Sequence, residues 1–287
     1  MGQAIIDETT LSDLANVTRT LMSDDETRTP DECVSDLSGI QLYTGYEYNG
    51  FCRTGTGTLD FADVACVNLH DIALNATSIK IGDNDTSSIS AVNFPPGTLQ
   101  NLSTAYRMFY LCRDIASISL PEGSGQDIGR MDYMFYGCHS ISSIFIPEGF
   151  GRDTYTLMRT FANCSSLTEL TLPESLSSDG ISSIIYMLYQ DASLHTLNLP
   201  SQFGRGVTNA QSTFTNCTSL STITGGLNLK VSFDLHYSPL THDSLINVLN
   251  SIQTVTTKPT LTLGTNNLAN LSDDEKKIAT DKGWILA

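Results

Sequence analysis

Between residues 109 and 225 the apolar positions recur in one order. An aromatic or leucine is followed three residues later by cysteine, then by apolar residues three, six and eight positions beyond the cysteine, and then by proline. Cys112 leads Ile115, Ile118, Leu120 and Pro121, Cys138 leads Ile141, Ile144, Ile146 and Pro147, and Cys164 leads Leu167, Leu170, Leu172 and Pro173. Aligned on the aromatic, the units start at Phe109, Phe135, Phe161, Leu188 and Phe214, in steps of 26, 26, 27 and 26 residues. The fourth unit has Asp191 in the cysteine slot but keeps Leu194, Leu197, Leu199 and Pro200. The fifth keeps Cys217, Leu220 and Ile223 and ends on Gly225, which reads as the repeat running down. Upstream, Ile89, Val92, Phe94 and Pro95 continue the pattern, and Cys66, Leu69, Ile72 and Leu74 repeat its spacing once more. A near-constant period of this kind marks a repeat architecture of about six or seven turns.

Each unit predicts one short strand. The residue before the proline and the residue two before that share one face at a spacing of two and point into the stack. Proline ends the strand because it cannot donate to the ladder. Gly-rich pieces such as Glu122–Gly125 and Glu148–Gly151 turn the chain, which then returns across the far side as helix or irregular coil. One turn cannot bury its apolar face alone, so a core forms only when neighbours stack. Cys112, Cys138, Cys164 and Cys217 are expected to form a buried column of small apolar groups, with Phe109, Phe135, Phe161 and Phe214 as a second column beside it. The expected fold class is α+β, a solenoid with a period in the leucine-rich-repeat range.

The flanks follow other patterns. Thr29, Pro30, Glu32 and Gly39 bracket a short helix with a capping box at its start, and another helix is expected near Thr10. Tyr46–Cys52 reads as a hairpin around Asn49-Gly50. Toward the C-terminus, Leu245, Ile246, Leu249 and Ile252 fall at helical spacing within 242–252, and Thr260–Leu263 can add a strand to the ladder. Ser272 and Glu275 open a helix that Gly283 stops, and Trp284 offers an apolar plug. Four segments result: a helical docking head at 1–40, a hairpin or linker at 41–65, the repeat array at 66–235 and a cap at 236–287.

The unit Phe161-Ala-Asn-Cys164-Ser-Ser-Leu167-Thr-Glu-Leu170-Thr-Leu172-Pro173 resembles the BspA-type leucine-rich repeats of bacterial surface proteins, over roughly residues 66 to 235. That resemblance implies an adhesin or interaction scaffold. The stretches Thr10–Ala15, Thr29–Cys33 and Leu37–Ile40 are similar to a helical head found on bacteriophage tail and fibre proteins, although the arginine of that head is missing and Cys33 stands where methionine is usual. Residues Leu261–Glu275 and Ala279–Trp284 resemble the terminal segment that follows such repeats in gut phage proteins. The ends therefore imply a virion structural protein, a fibre, decoration or adhesion component. Such a protein would dock to other virion proteins through residues 1–40 and present the repeat surface to a host surface protein or glycan, as a homo-oligomer or part of a larger assembly. The alternative is a bacterial adhesin or interaction scaffold.

Composition narrows the partners. The 287-residue chain is 40% hydrophobic, enough for a sizeable core, and its net charge of −16 repels nucleic acid and anionic membrane. No apolar run is long enough to span a bilayer, and the first residues lack a signal peptide's basic and apolar regions, so the chain is expected to begin in a cytoplasm; the resemblance of the ends to phage proteins implies a virion made in a host cytoplasm as its location. The seven cysteines form no CxxC pair, and no GxSxG, Walker or dinucleotide fingerprint occurs, so neither metal, cofactor nor catalytic residue is expected and the chain is not expected to be an enzyme. His139 and His195 are expected as exposed spectators in one variable slot, and Asp191 as a carboxylate in need of partners. Cys33 and Cys52 have no assigned role. Arg130, Arg152 and Arg205 recur in the return loops and are candidate binding anchors, with a repeated structural salt bridge as the competing reading.

Overall fold

The computed structural model describes residues 41–43, 56–60, 78–81, 88–94, 96–177 and 179–287. Both head helices, the hairpin at Asn49-Gly50, the unit at Cys66–Leu74 and Cys33 and Cys52 lie outside these residues. Strands β1 (Gln41–Tyr43) and β2 (Thr56–Asp60) precede β3 (Ser78–Lys80) and β4 (Ser88–Asn93). β1 pairs antiparallel with β3, and β2 pairs parallel with β4 through an irregularity at Gly57/Thr58.

Five three-residue strands follow: β5 (Ser117–Ser119), β6 (Ser143–Phe145), β7 (Glu169–Thr171), β8 (Thr196–Asn198) and β9 (Thr222–Thr224). β5 pairs parallel with β6, and β7 with β8 and β8 with β9, so that Ile118 faces Ile144 and Leu170, Leu197 and Ile223 stand in line. The central residue of β5, β7, β8 and β9 is buried while its neighbours face outward, the period of two expected of a half-buried strand. Ser142, Ser165 and Ser221 hydroxyls donate to carbonyls 26 residues earlier, tying each turn to the preceding one beside the strands.

The far side is neither helix nor irregular coil. Its backbone forms a second hydrogen-bonded wall. The amides of Ala105, Arg107, Phe109 and Leu111 donate to the carbonyls of Arg130, Asp132, Met134 and Tyr136 in the next turn, while Met108, Tyr110 and Cys112 donate within their own turn. The pattern repeats at Tyr133, Phe135 and Gly137 and at Arg159, Phe161 and Asn163. Isolated parallel bridges run beside it through Thr104, Arg130, Thr156, Ser183 and Asn209. Among the described residues of the array the helical content is one 3-10 turn, Glu174–Ser177. Buried amides need partners, and here those of the return segment find them across turns.

Phe94, Phe109, Phe135 and Phe161 line up, the last three stacked at 5.3 and 5.5 Å between ring centroids. Gly225 marks a close approach, whereas the sequence suggested decay of the repeat. Its φ is +75°, and a Cβ there would overlap the carbonyl oxygen of Leu199.

The C-terminal segment carries its own sheet. β10 (Phe233–Asp234), β11 (Thr260–Thr262) and β12 (Ile285–Leu286) are parallel in that order. The 260–263 run therefore pairs with β10, at the end of the 66–235 array, and with β12, and it does not pair with β5–β9. Helix α1 (His242–Ser251), capped by Thr241, connects β10 to β11, and it buries Leu245, Val248 and Leu249 while Ile246 stays partly exposed. Between β11 and β12 come α2 (Gly264–Ala269) and α3 (Asp273–Asp281). α3 opens with Ser272 and Glu275 in a reciprocal capping box. Trp284 is 3% exposed, edge-on to Phe233 at 5.6 Å, and its indole N–H donates to the Gln253 carbonyl at 2.8 Å.

Candidate functional site

Cys112, Cys138, Cys164 and Cys217 are free thiols with no exposed surface. Cys138 Sγ donates to the Phe109 carbonyl at 3.1 Å, Cys164 Sγ to Phe135 at 3.2 Å and Cys217 Sγ to Leu188 at 3.0 Å. Each of these three thiols thus adds a second hydrogen bond to a carbonyl of the preceding turn that already accepts a backbone amide, which alanine could not do. Burial pushes the Cys138, Cys164 and Cys217 thiols well above their ordinary range, the reverse of an activated nucleophile. Asp191 occupies the same column, fully buried. Its Oδ1 accepts the Cys164 amide at 2.8 Å, its Oδ2 has no hydrogen-bond partner, and burial raises its carboxyl well above the usual range. Enclosed at zero exposure, it is a defect in the column with no solvent-facing atom.

A different row faces solvent. The slot two residues before the aromatic holds Arg107, Tyr133, Arg159, Tyr186 and Ser212, with φ of +59°, +58°, +55°, +54° and +53°. Left-handed backbone costs an L-residue about 1–2 kcal/mol. It is held here by the inter-turn amide bonds, and it projects these five side chains, all half-buried, into one line. The slot after the aromatic adds Tyr110, Tyr136 and Tyr189, while Ala162 in that slot is buried.

The rings interlock. Tyr110 stacks on Tyr136 at 5.3 Å, Tyr133 tilts against Tyr136 at 5.6 Å, Tyr106 and Tyr110 meet Tyr133 edge-on at 6.3 and 6.2 Å, and Tyr186 meets Tyr189 at 5.2 Å. Guanidinium groups bridge them. Arg107 lies 4.7 Å from the Tyr110 ring centroid, Arg130 4.6 Å from Tyr106, and Arg159 4.8 Å from Tyr186 and 5.6 Å from Tyr133.

Asp132, 2% exposed, anchors one end of this surface. Its Oδ2 accepts Arg130 Nε and Nη2 at 2.9 and 2.8 Å, and its Oδ1 accepts the Thr156 hydroxyl at 2.6 Å and the Met158 amide at 3.2 Å. A buried carboxylate with four donors is fully met, and it fixes the Arg130 fork over Tyr106.

The three arginines singled out from sequence do not form one set. Arg130 belongs to the tyrosine surface. Arg152 and Arg205 sit in another row, each more than half exposed, facing Asp127 at 3.5 Å and Asp179 at 3.4 Å in the preceding turn. His139 and His195 are exposed but do not share a slot: His195 directly precedes β8, whereas His139 directly follows Cys138. Trp284 and the phenylalanine column are interior. Sequence reasoning missed Arg107, Tyr133, Arg159 and Tyr186, although their common slot beside the aromatic was a usable signal. Among the described residues, no group of three or more His, Cys, Asp or Glu is placed to hold a metal ion, and no helix is long and apolar enough to cross a membrane.

Comparison with known proteins gives one family. The BspA type leucine-rich repeat region matches in six copies, over residues 60–178 and 157–258. Among solved structures, a leucine-rich repeat protein from Bacteroides ovatus is similar at 13% identity, with 77% of this chain and 75% of that chain covered. Its TM-score of 0.24 is too low to bear on geometry or function. No curated protein matches the chain.

Proposed function

The chain belongs to the BspA-type leucine-rich-repeat proteins, and we propose that it is a non-enzymatic interaction scaffold, a solenoid closed by the segment 236–287 that offers its Arg–Tyr row to a partner. The single observation that carries this reading is the row of positive-φ residues Arg107, Tyr133, Arg159 and Tyr186, half-buried and in register across four turns. Strained backbone is retained where function or packing requires it, and tyrosine and arginine are the side chains most enriched at binding hot spots. Among the described residues, the enclosure of the four thiols and of Asp191 favours the non-enzymatic reading.

Enrichment from host-cell envelope material, comparing wild type, an Arg159→Gln/Tyr186→Leu variant and a Thr196→Ala variant on the strand face, tests the placement. Material retained by wild type and Thr196→Ala but not by the double variant is expected. Equal retention by all three refutes a binding role for the row.

A narrower reading, a virion component docked through residues 1–40, is supported by the resemblance of 1–40 and 261–284 to phage proteins, although the docking segment lies outside the described residues. Proteomics of purified particles tests it. Absence of the chain from every particle removes that reading and leaves the scaffold standing.

A further inference from the structure

We infer that the Arg–Tyr row binds a linear polysaccharide in which uronic acid alternates with a neutral sugar, lying along the stacking direction with one carboxylate on Arg159. The inference rests on the reading of this row as the binding surface. Arg159 is half-buried between the Tyr133 and Tyr186 rings, and among the described residues it makes no ion pair. A guanidinium whose faces lie against aromatic rings keeps its in-plane N–H edge for a planar anion, and carboxylate matches that fork.

The order of the row supplies the periodicity. Cation and ring alternate turn by turn as Arg107, Tyr133, Arg159 and Tyr186, so like groups recur every second turn, about 10 Å apart at the spacing of neighbouring strands. One turn is comparable to the length of one pyranose. An alternating acidic and neutral glycan therefore meets cation and ring in phase, each sugar having an apolar face for tyrosine and hydroxyls on its edge.

Other polymers fit less well. An extended peptide gains affinity by adding a strand to an open backbone edge. Here the amides of Arg107, Tyr133, Arg159 and Tyr186 are already bonded to Asp132, Met158, Ile185 and Gln211 of the next turn. Single-stranded nucleic acid offers bases to stack, but it carries a phosphate on every nucleotide, whereas the row offers a cation only at every second turn.

Titration calorimetry of the full chain with hyaluronan oligosaccharides, dextran and poly-glutamate tests the proposal. Hyaluronan should bind, dextran should not, and binding should weaken as salt is raised. Arg159→Gln and Tyr186→Leu should each weaken it at least about ten-fold with an unchanged melting temperature. Arg159→Lys, which keeps charge but loses the fork, should fall between, and Arg152→Gln should bind as wild type. Failure of hyaluronan to bind, or equal binding by the Arg159 and Tyr186 variants, overturns the proposal. Poly-glutamate binding as tight as hyaluronan overturns the glycan assignment and leaves the row as an interaction surface, whereas the envelope experiment above decides that broader reading independently.

Discussion

Asp191→Cys should stabilise the protein, and the gain should grow with pH. The wild-type carboxyl stands in a column where Cys138, Cys164 and Cys217 each donate to a carbonyl of the preceding turn. Asp191 accepts one amide and leaves Oδ2 without a partner at zero exposure. A buried unmet polar atom costs about 1–3 kcal/mol, so restoring cysteine should recover about that much at acid pH, where the carboxyl is neutral in both states. Burial raises the folded-state pKa well above the ordinary value. Above about pH 3.9 the unfolded chain releases this proton while the folded chain keeps it. The unfolded state then binds fewer protons, so wild-type stability falls as pH rises, by about 1.4 kcal/mol per unit, until the folded-state pKa is reached. The variant lacks this term, and other titrating groups cancel in the difference. Urea denaturation of both proteins under reducing conditions from pH 4 to 7 measures it. A difference that does not change with pH would show that Asp191 titrates alike in both states and would refute the reasoning.

Cys138→Ala should lose about 1–3 kcal/mol, through the void it leaves and the lost Sγ bond to the Phe109 carbonyl, which keeps only the Cys112 amide. Cys138→Asp should unfold the array, and rapid thiol labelling of native Cys112, Cys138, Cys164 or Cys217 would contradict their burial. Trp284→Ala should cost about 3–5 kcal/mol in chemical denaturation, since it removes the plug on Phe233 and the bond to Gln253; a cost near zero would show the ring to be dispensable. Gly225→Ala should destabilise by about 2–5 kcal/mol, because it forces a side chain into left-handed backbone against the Leu199 carbonyl; a neutral result in the same assay would count against close approach.

Residues that must leave water were legible along the chain. Every turn repeats the same burial problem, so selection for packing places the same residue types in the same slots: Phe109, Phe135 and Phe161, Cys138 and Cys164, Leu170 and Leu197. The capping box at Ser272 and Glu275 was legible for a related reason, since both partners lie within one helical turn of sequence. Tertiary structure alone decided the surface. Arg107, Tyr133, Arg159 and Tyr186 share a slot but not a residue type, and they become one feature only when stacking brings turns 26 or 27 residues apart into contact and the cross-turn amide bonds hold them at positive φ. The separation of Arg130 from Arg152 and Arg205 has a related origin: Arg130 pairs with Asp132 two residues away, whereas the partners of Arg152 and Arg205, Asp127 and Asp179, are assigned only by where the chain folds back. Apolar burial repeats an identity, which a sequence displays directly, whereas recognition depends on neighbours across turns, which only the stack creates.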